Sequence, residues 1–382
     1  MDNQPSVNVR DFDAVADGTT DDSRAFLSAL ESKAAVVVIP AGRYLIGAPL
    51  KIGSGTTLSA HENAIIMLAD NVCNTTDDFF LTNADTVGGN ENITVEGGVW
   101  HGNNRGNRRK DDIFAKDCGT GVMFNFVKVK NLTIRNLRMC DAESYFLRIG
   151  EAEDFTVSNI AFEAETLRPN QDGVHLGGYC FNGVIENIRA SRKGSTNDDL
   201  IALNADDEVN RLVNLGMKRG PIKHIRVRHV YAEDCHSLVR LLSVDAPIED
   251  VLIEDVRGGC RVFALNMDAA RYCRTPLFKD NEKPEGVGRV KDVVLRDITA
   301  HKTDDNRNPL IFIETNCENF VIERFVRERA KEPPNDRPTF YAGKLKASRL
   351  ELDDRCVTLG PGESVADDAE EYGRLTLTAR QG

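Results

Sequence analysis

A short phrase recurs along this chain, and it constrains the fold more than any other feature. Asn or Asp opens it, alternating apolar positions follow, and another Asn or Asp interrupts before a second alternating run. It reads NITVEGGVW from Asn92, NLTIRNLRM from Asn131, DFTVSNIAF from Asp154, NGVIENIRA from Asn182 and HIRVRHVYA from His224. It continues as DVLIEDVRG from Asp250, DVVLRDITA from Asp292, NFVIERFVR from Asn319 and SRLELDDRC from Ser348. Alternation with a period of two marks strands, whose successive side chains face opposite ways. The first apolar positions fall at 93, 132, 155, 184, 225, 251, 293, 320 and 350, so one unit spans about 23–30 residues where no loop is inserted. Units of that length stack, because none can bury its apolar side alone. The Asn or Asp inside each phrase suits a corner, since these residues tolerate left-handed backbone and bond their own main chain. The pattern predicts an all-β fold, a single-stranded right-handed parallel β-helix in one elongated domain. A β-sandwich would show hairpin signals about every 8–12 residues, and the sequence lacks them.

One helix is expected ahead of the coils. Thr20-Asp21-Asp22-Ser23 can cap it, and Phe26, Ala29 and Leu30 then recur at helical spacing. Such a helix covers the apolar end of a solenoid, which would otherwise be an open edge. The predicted single domain has residues 1–60 as cap helix and first strands, about 61–360 as coils, and 361–382 as a C-terminal tail or cap. The first strands are read at AAVVVIP from Ala34 and RYLIGAPLKI from Arg43. Polar insertions at 102–118, 204–221, 274–289 and 328–340 map to loops along one side, where solenoids often bind.

Composition excludes several classes. The chain has 48 Lys and Arg against 60 Asp and Glu, a net charge of −12, which disfavours nucleic acid as a partner. No apolar run reaches the roughly 18 residues of a membrane span. The nine cysteines are scattered without a CxxC, so they read as reduced, mostly buried thiols rather than disulfides or zinc ligands. No metal or cofactor is expected, and no phosphate-cradling glycine motif is present. The start, MDNQPSVNVRDF, lacks secretory-signal character, which places the protein in the cytoplasm and leaves sequons at Asn74, Asn92 and Asn131 unmodified.

Asp-Asp doublets occur at 21, 77, 111, 198, 206, 304, 353 and 367, so a doublet alone carries no message. Context separates one of them. NQDGVHLGG from Asn170 is followed by NDDLIALN from Asn197, and Asp172 and Asp198 are 26 residues apart, about one coil. Measured from their own coil starts at 155 and 184, they lie at offsets 17 and 14. That places Asp172, Asp198 and Asp199 on one flank at roughly the 4.8 Å strand spacing. Three carboxylates that close cannot all ionise freely, so at least one titrates high, as glycosidic cleavage requires. The next coils add His236 at offset 11 and Arg261 at offset 10. Asn170, His175 and Asn204 border the carboxylates as candidate sugar contacts. Asp206 and Asp207 read as part of the following loop, and Trp100, the sole tryptophan, as either a sugar platform or core.

These motifs, in this order, resemble the polygalacturonase-like, family 28 glycoside hydrolases of the pectin-lyase-like β-helix superfamily. The opening VNVRDFDAVADGTTDDSRAFLSAL is similar to the family's N-terminal signature, and GGVWHGNN to its early glycine-rich turn. NQDG resembles Asn-Thr-Asp, NDDLIAL the Asp-Asp motif, CHSL the Gly-His-Gly motif and CRVF the Arg-Ile-Lys motif, over roughly residues 7 to 265. The resemblance implies an inverting hydrolase of pectin-type or related oligosaccharides; with no export signal visible in the sequence, short imported chains and action from their ends are expected. It implies that Asp198 is the general acid, that Asp172 and Asp199 hold and deprotonate the water, that His236 tunes the acid, and that Arg261 binds sugar. The chain departs from the family pattern at Gln171, Cys235 and Ser237, and Phe263 stands where the family has lysine. Arg240 or the basic stretch NNRGNRRK from Asn103 could replace that lost cation. A polysaccharide lyase using Ca²⁺, or a non-catalytic tailspike-like carbohydrate binder, shares the fold.

Overall fold

The structure, a computed structural model, describes residues 5–112, 114–115, 118–207, 217–272, 287–334 and 337–343, with the backbone of further strands between 348 and 379. Each coil lays down strands in three parallel ladders. In the first, Leu58, Val95, Ile134, Val157, Ile185, Val227, Ile253, Leu295 and Ile322 stack as direct neighbours in one inward column. In the third, Leu81, Phe124, Leu147, Val174, Ile201, Val239, Leu265, Ile311 and Phe340 do the same. All these side chains are buried in one continuous core. Trp100 belongs to that core, fully buried with ring centroids 5.4 Å from Phe80 and 5.0 Å from Phe124.

The corners behave as the repeated Asn and Asp anticipate. Asn92, Asn131, Asp154, Asn182, His224, Asp250, Asp292 and Asn319 open successive coils with φ between 51° and 59°, the left-handed region. Asn136, Asn159, Asn187, His229, Asp255, Asp297 and Arg324 make the second corner with φ of 51–58°. Their side chains bond along the stack: Asn131 Nδ2 donates to Asn92 Oδ1 at 2.7 Å, and Asn159 Nδ2 to Asn136 Oδ1 at 2.8 Å. Between the corners, outward positions alternate in charge, with Arg135 2.7 Å from Glu96 and Arg228 2.7 Å from Glu186.

Register departs from the sequence reading at one coil. Phe155 pairs with Gly183, not Val184, in the ladder that runs Ile93, Leu132, Phe155, Gly183, Ile225. The Phe155 ring fills the space a side chain at 183 would need: a Cβ there would lie 2.1 Å from its Cζ. Phe155 is thus large enough to serve two coils.

Both ends are covered. The helix Ser23–Glu31 buries Ala25, Phe26, Ala29 and Leu30 against the first coils, with Phe26 5.3 Å from Tyr44. Asp22, at its N-cap, turns its carboxylate instead onto the backbone N–H groups of Val15 and Ala16. At the other end the sequence expectation fails. The Ser348 phrase is not another coil: Ser348–Leu352 pairs antiparallel with Arg355–Thr358 and Glu371–Ala379, and the latter pairs antiparallel with Cys317–Arg327. These antiparallel strands cover the last described rungs of the first and third ladders. Cys73, Cys118, Cys140, Cys180, Cys235, Cys260 and Cys317 are free, while Cys273 and the side chain of Cys356 lie outside what the structure describes. The parts of the predicted insertions at 208–216, 273–286 and 335–336 also lie outside them.

Candidate active site

The turn that enters the third ladder carries the site. Gly173 N–H donates to the Asp199 carbonyl and Phe146 N–H to the Asp172 carbonyl, both at 2.9 Å, so Asp172 and Asp199 sit one above the other. Asp199 pairs in turn with Ser237, which places His236 beside Asp198. Gly173 is required here, since a Cβ would meet the Leu200 carbonyl oxygen at 2.5 Å. The three carboxylates anticipated from sequence spacing are therefore brought together by backbone pairing alone.

Their environments differ. Asp172 and Asp199 are only 3% and 1% exposed, and each keeps one oxygen, Oδ1, buried without a hydrogen-bond partner in the protein. Asp198 is half-buried and faces outward, with Oδ1 3.6 Å from His236 Nδ1 and Oδ2 accepting from Asn170 Nδ2 at 3.4 Å. Burial, reinforced by the Asp198 carboxylate, pushes both Asp172 and Asp199 above the ordinary carboxylate range. His175 pulls Asp172 back, and Arg240 and His236 pull Asp199 back, but burial prevails. Asp198, Asp199 and His236 offer ligand atoms within 4.8 Å of one another, so this trio could also hold a divalent cation.

Several candidates serve the carboxylates rather than the groove. His175 is fully buried, with Nδ1 2.6 Å from Asp172 Oδ2 and Nε2 3.1 Å from Asp207 Oδ1, which removes it from contact with a sugar. Tyr145 stacks on its ring at 4.0 Å. Asn204 is 2% exposed at the end of the strand Asp199–Asn204, as buried as Asp172 and Asp199, and its Oδ1 likewise has no partner in the protein. Arg240 lies 3.6 Å from Asp199 Oδ2 and donates to Asp268 Oδ1 and the Tyr272 hydroxyl at 3.0 and 3.1 Å. Burial opposes the Arg240 charge, yet Asp268 and Asp199 outweigh it and raise its pKa. It neutralises the protein's own acids and is not a free clamp for a substrate. Arg261 stays at the groove, held by Asp234 Oδ2 at 2.9 Å and Asn197 Oδ1 at 2.7 Å.

Of the basic insertion, Arg109 turns inward while Arg105, Arg108 and Lys110 stay exposed. Arg109 is buried, donates to the Pro169 carbonyl at 2.6 Å and to Asn170 Oδ1 at 3.3 Å, and lies 3.5 Å from Glu143. Glu143 accepts two further bonds from Arg168, at 2.7 and 3.0 Å. Gln171 donates to the Ala142 and Thr166 carbonyls and accepts from Arg168 N–H, bracing the same turn. Glu143, Tyr145 and Asp207 were not singled out from sequence. Tyr145 was recoverable, lying 27 residues before Asp172 in the same stacked position. Asp206 and Asp207 lie, as expected, in the turn that follows the strand, but they are buried there: Asp206 accepts from the N–H groups of Val244, Asp245 and Ala246. Phe263 stacks on Phe312 at 5.5 Å, and Phe312 on Tyr341 at 5.3 Å, so an aromatic column stands where the family pattern has a cation.

The parallel β-helix is the fold that this chain shares with its structural neighbours. The chain belongs to the family described as rhamnogalacturonase A/epimerase, pectate lyase-like, which it matches over residues 6–214. Among curated relatives it is 24% identical over 327 residues to a probable polygalacturonase of Vitis vinifera, covering 77% of this chain and 60% of that protein. It is 36% identical over 160 residues to the pre-neck appendage protein of Bacillus phage phi29, covering 41% of this chain and 16% of the phage protein. The chain therefore spans less than two thirds of the length of either. A family 28 exopolygalacturonase of Yersinia enterocolitica shares the fold with a TM-score of 0.59 at 15% identity, over 90% of this chain and 68% of that one.

Proposed function

We propose that this protein is a glycoside hydrolase that cleaves pectin-type or related oligosaccharides by inversion, removing sugars from chain ends. The observation that carries the reading is the stack of Asp172, Asp198 and Asp199 with His236 beside Asp198. Asp198, the outward-facing member, protonates the glycosidic oxygen, with His236 beside it. Asp172 and Asp199 hold the attacking water, for which their unpartnered oxygens are suited acceptors. Their high proton affinity favours removal of a proton from that water. Arg261 and Asn170 line the groove as sugar contacts. With Arg109 and Arg240 committed to internal acids, the face of Phe263 favours a short substrate with an apolar or neutral sugar in that subsite. The free cysteines support a reducing, cytoplasmic setting.

Product analysis against a panel of neutral and uronate oligosaccharides tests this directly, with the anomer followed by NMR in the first minutes. The reading expects an inverted anomer, single sugars released, and loss of at least ~10²-fold activity in Asp198→Asn with unchanged melting. An unsaturated product absorbing in the ultraviolet, with activity lost to chelator, would instead assign a lyase using the cation cluster. Failure to cleave any sugar while still binding would favour the appendage-like reading that the phage similarity supports.

A further inference from the structure

We infer that Asp207, His175 and Asp172 form a relay in which His175 is a positioning residue, orienting the Asp172 carboxylate and tuning its charge. The inference rests on the hydrolase reading for what Asp172 does, but not for the relay itself.

Geometry carries it. Both ring nitrogens of His175 face carboxylate oxygens, Asp172 Oδ2 at 2.6 Å and Asp207 Oδ1 at 3.1 Å. An ionised carboxylate only accepts, so two such contacts call for N–H on both nitrogens, or for one proton shared along the shorter contact. A histidine that merely fills core needs one partner and stays neutral when buried. This one is fully buried and still flanked by two acids. The groups around it are Asp172 at the start of its own turn, Asp207 beyond the next strand, and Tyr145 stacked from the previous coil. Arg148 and Ala202 are its strand neighbours. Burial opposes charge on the imidazole, and the two acids overcome it, raising its pKa to about 9. The carboxylate of Asp172 faces His175, Asp198 and Asp199. With Oδ2 fixed on the imidazole, the partnerless Oδ1 is left for the water. When Asp172 takes that water's proton, the imidazolium keeps its own and orients the acid formed.

The sign of the effect follows. The imidazolium lowers the proton affinity of Asp172, so weakening it raises that affinity, and the acid limb of the kcat/KM profile moves to higher pH. Asp207→Asn leaves Asp172 and the groove untouched, while His175→Gln removes the charge outright. Each is expected to move the acid limb up by about 1 pH unit or more. A role in packing alone would lower melting temperature and leave the limb in place. Coincident limbs in folded variants would overturn the relay. An activity-independent arm uses ¹⁵N-histidine NMR, with His175→Gln assigning the signal. It expects His175 doubly protonated at pH 7 in the wild type and deprotonating at lower pH in Asp207→Asn. A neutral imidazole at pH 7 sinks the relay. Absence of hydrolysis in the wild type would sink only the hydrolase reading, and the NMR result would then decide. If His175→Gln fails to fold, Asp207→Asn carries both arms.

Discussion

Replacing Gly183 by alanine tests the register of the coil that bears Asp198. A Cβ at 183 would lie 2.1, 2.5 and 2.8 Å from Cζ, Cε2 and Cε1 of Phe155, where carbon atoms rest about 3.5–4.0 Å apart. The ring must therefore move by roughly 1.5 Å, and it is only 2% exposed within a close-packed column. Overpacking of this kind costs about 1–3 kcal/mol. Alanine returns about 0.5–1 kcal/mol through the lower entropy of the unfolded chain, so the expected net loss is ~0–2.5 kcal/mol. Phe155→Leu alone should cost a comparable amount through the cavity it leaves. Together the two changes should compensate, with a favourable coupling of at least ~1 kcal/mol. Equilibrium urea denaturation of wild type, both single variants and the double variant, at constant m-value, measures the cycle. Costs that simply add in the double variant would refute the account of why this coil begins at 183.

Two further outcomes are expected. Asp199 titrates above its unfolded value, so the folded state gains from its proton at low pH and loses that gain as pH rises beyond the ordinary carboxylate range. Asp199→Asn should therefore be more stable than wild type at pH 8, with the gap closing toward pH 4 in thermal melts. A gap that widens on acidification would reverse the sign. Glu143→Gln strips the charge that faces Arg109 and Arg168 and should cost roughly 3 kcal/mol in denaturation. It should also slow hydrolysis by loosening Asn170, and wild-type stability would contradict the strut role.

Much of this protein was legible in the sequence because a solenoid converts distance along the chain into height along an axis. The period of the Asn and Asp phrases determined the coils and their left-handed corners, and the pattern at Phe26, Ala29 and Leu30 determined the N-terminal cap. The same conversion brought Asp172, Asp198, Asp199 and His236 into one cluster. Only the tertiary structure decided what depends on volume and on neighbours from other coils. Phe155 shifts a coil start onto Gly183, and the Ser348 phrase, strand-like by period, folds back antiparallel to close the stack. It also decided the fate of the polar groups. His175, Arg109 and Arg240 read as substrate contacts by their proximity in sequence, yet buried Asp207, Glu143 and Asp268 claim them. Local alternation reports which way a side chain points. It carries no record of the buried charge waiting there, and that charge decides whether an arginine or histidine reaches the groove or stays within the wall.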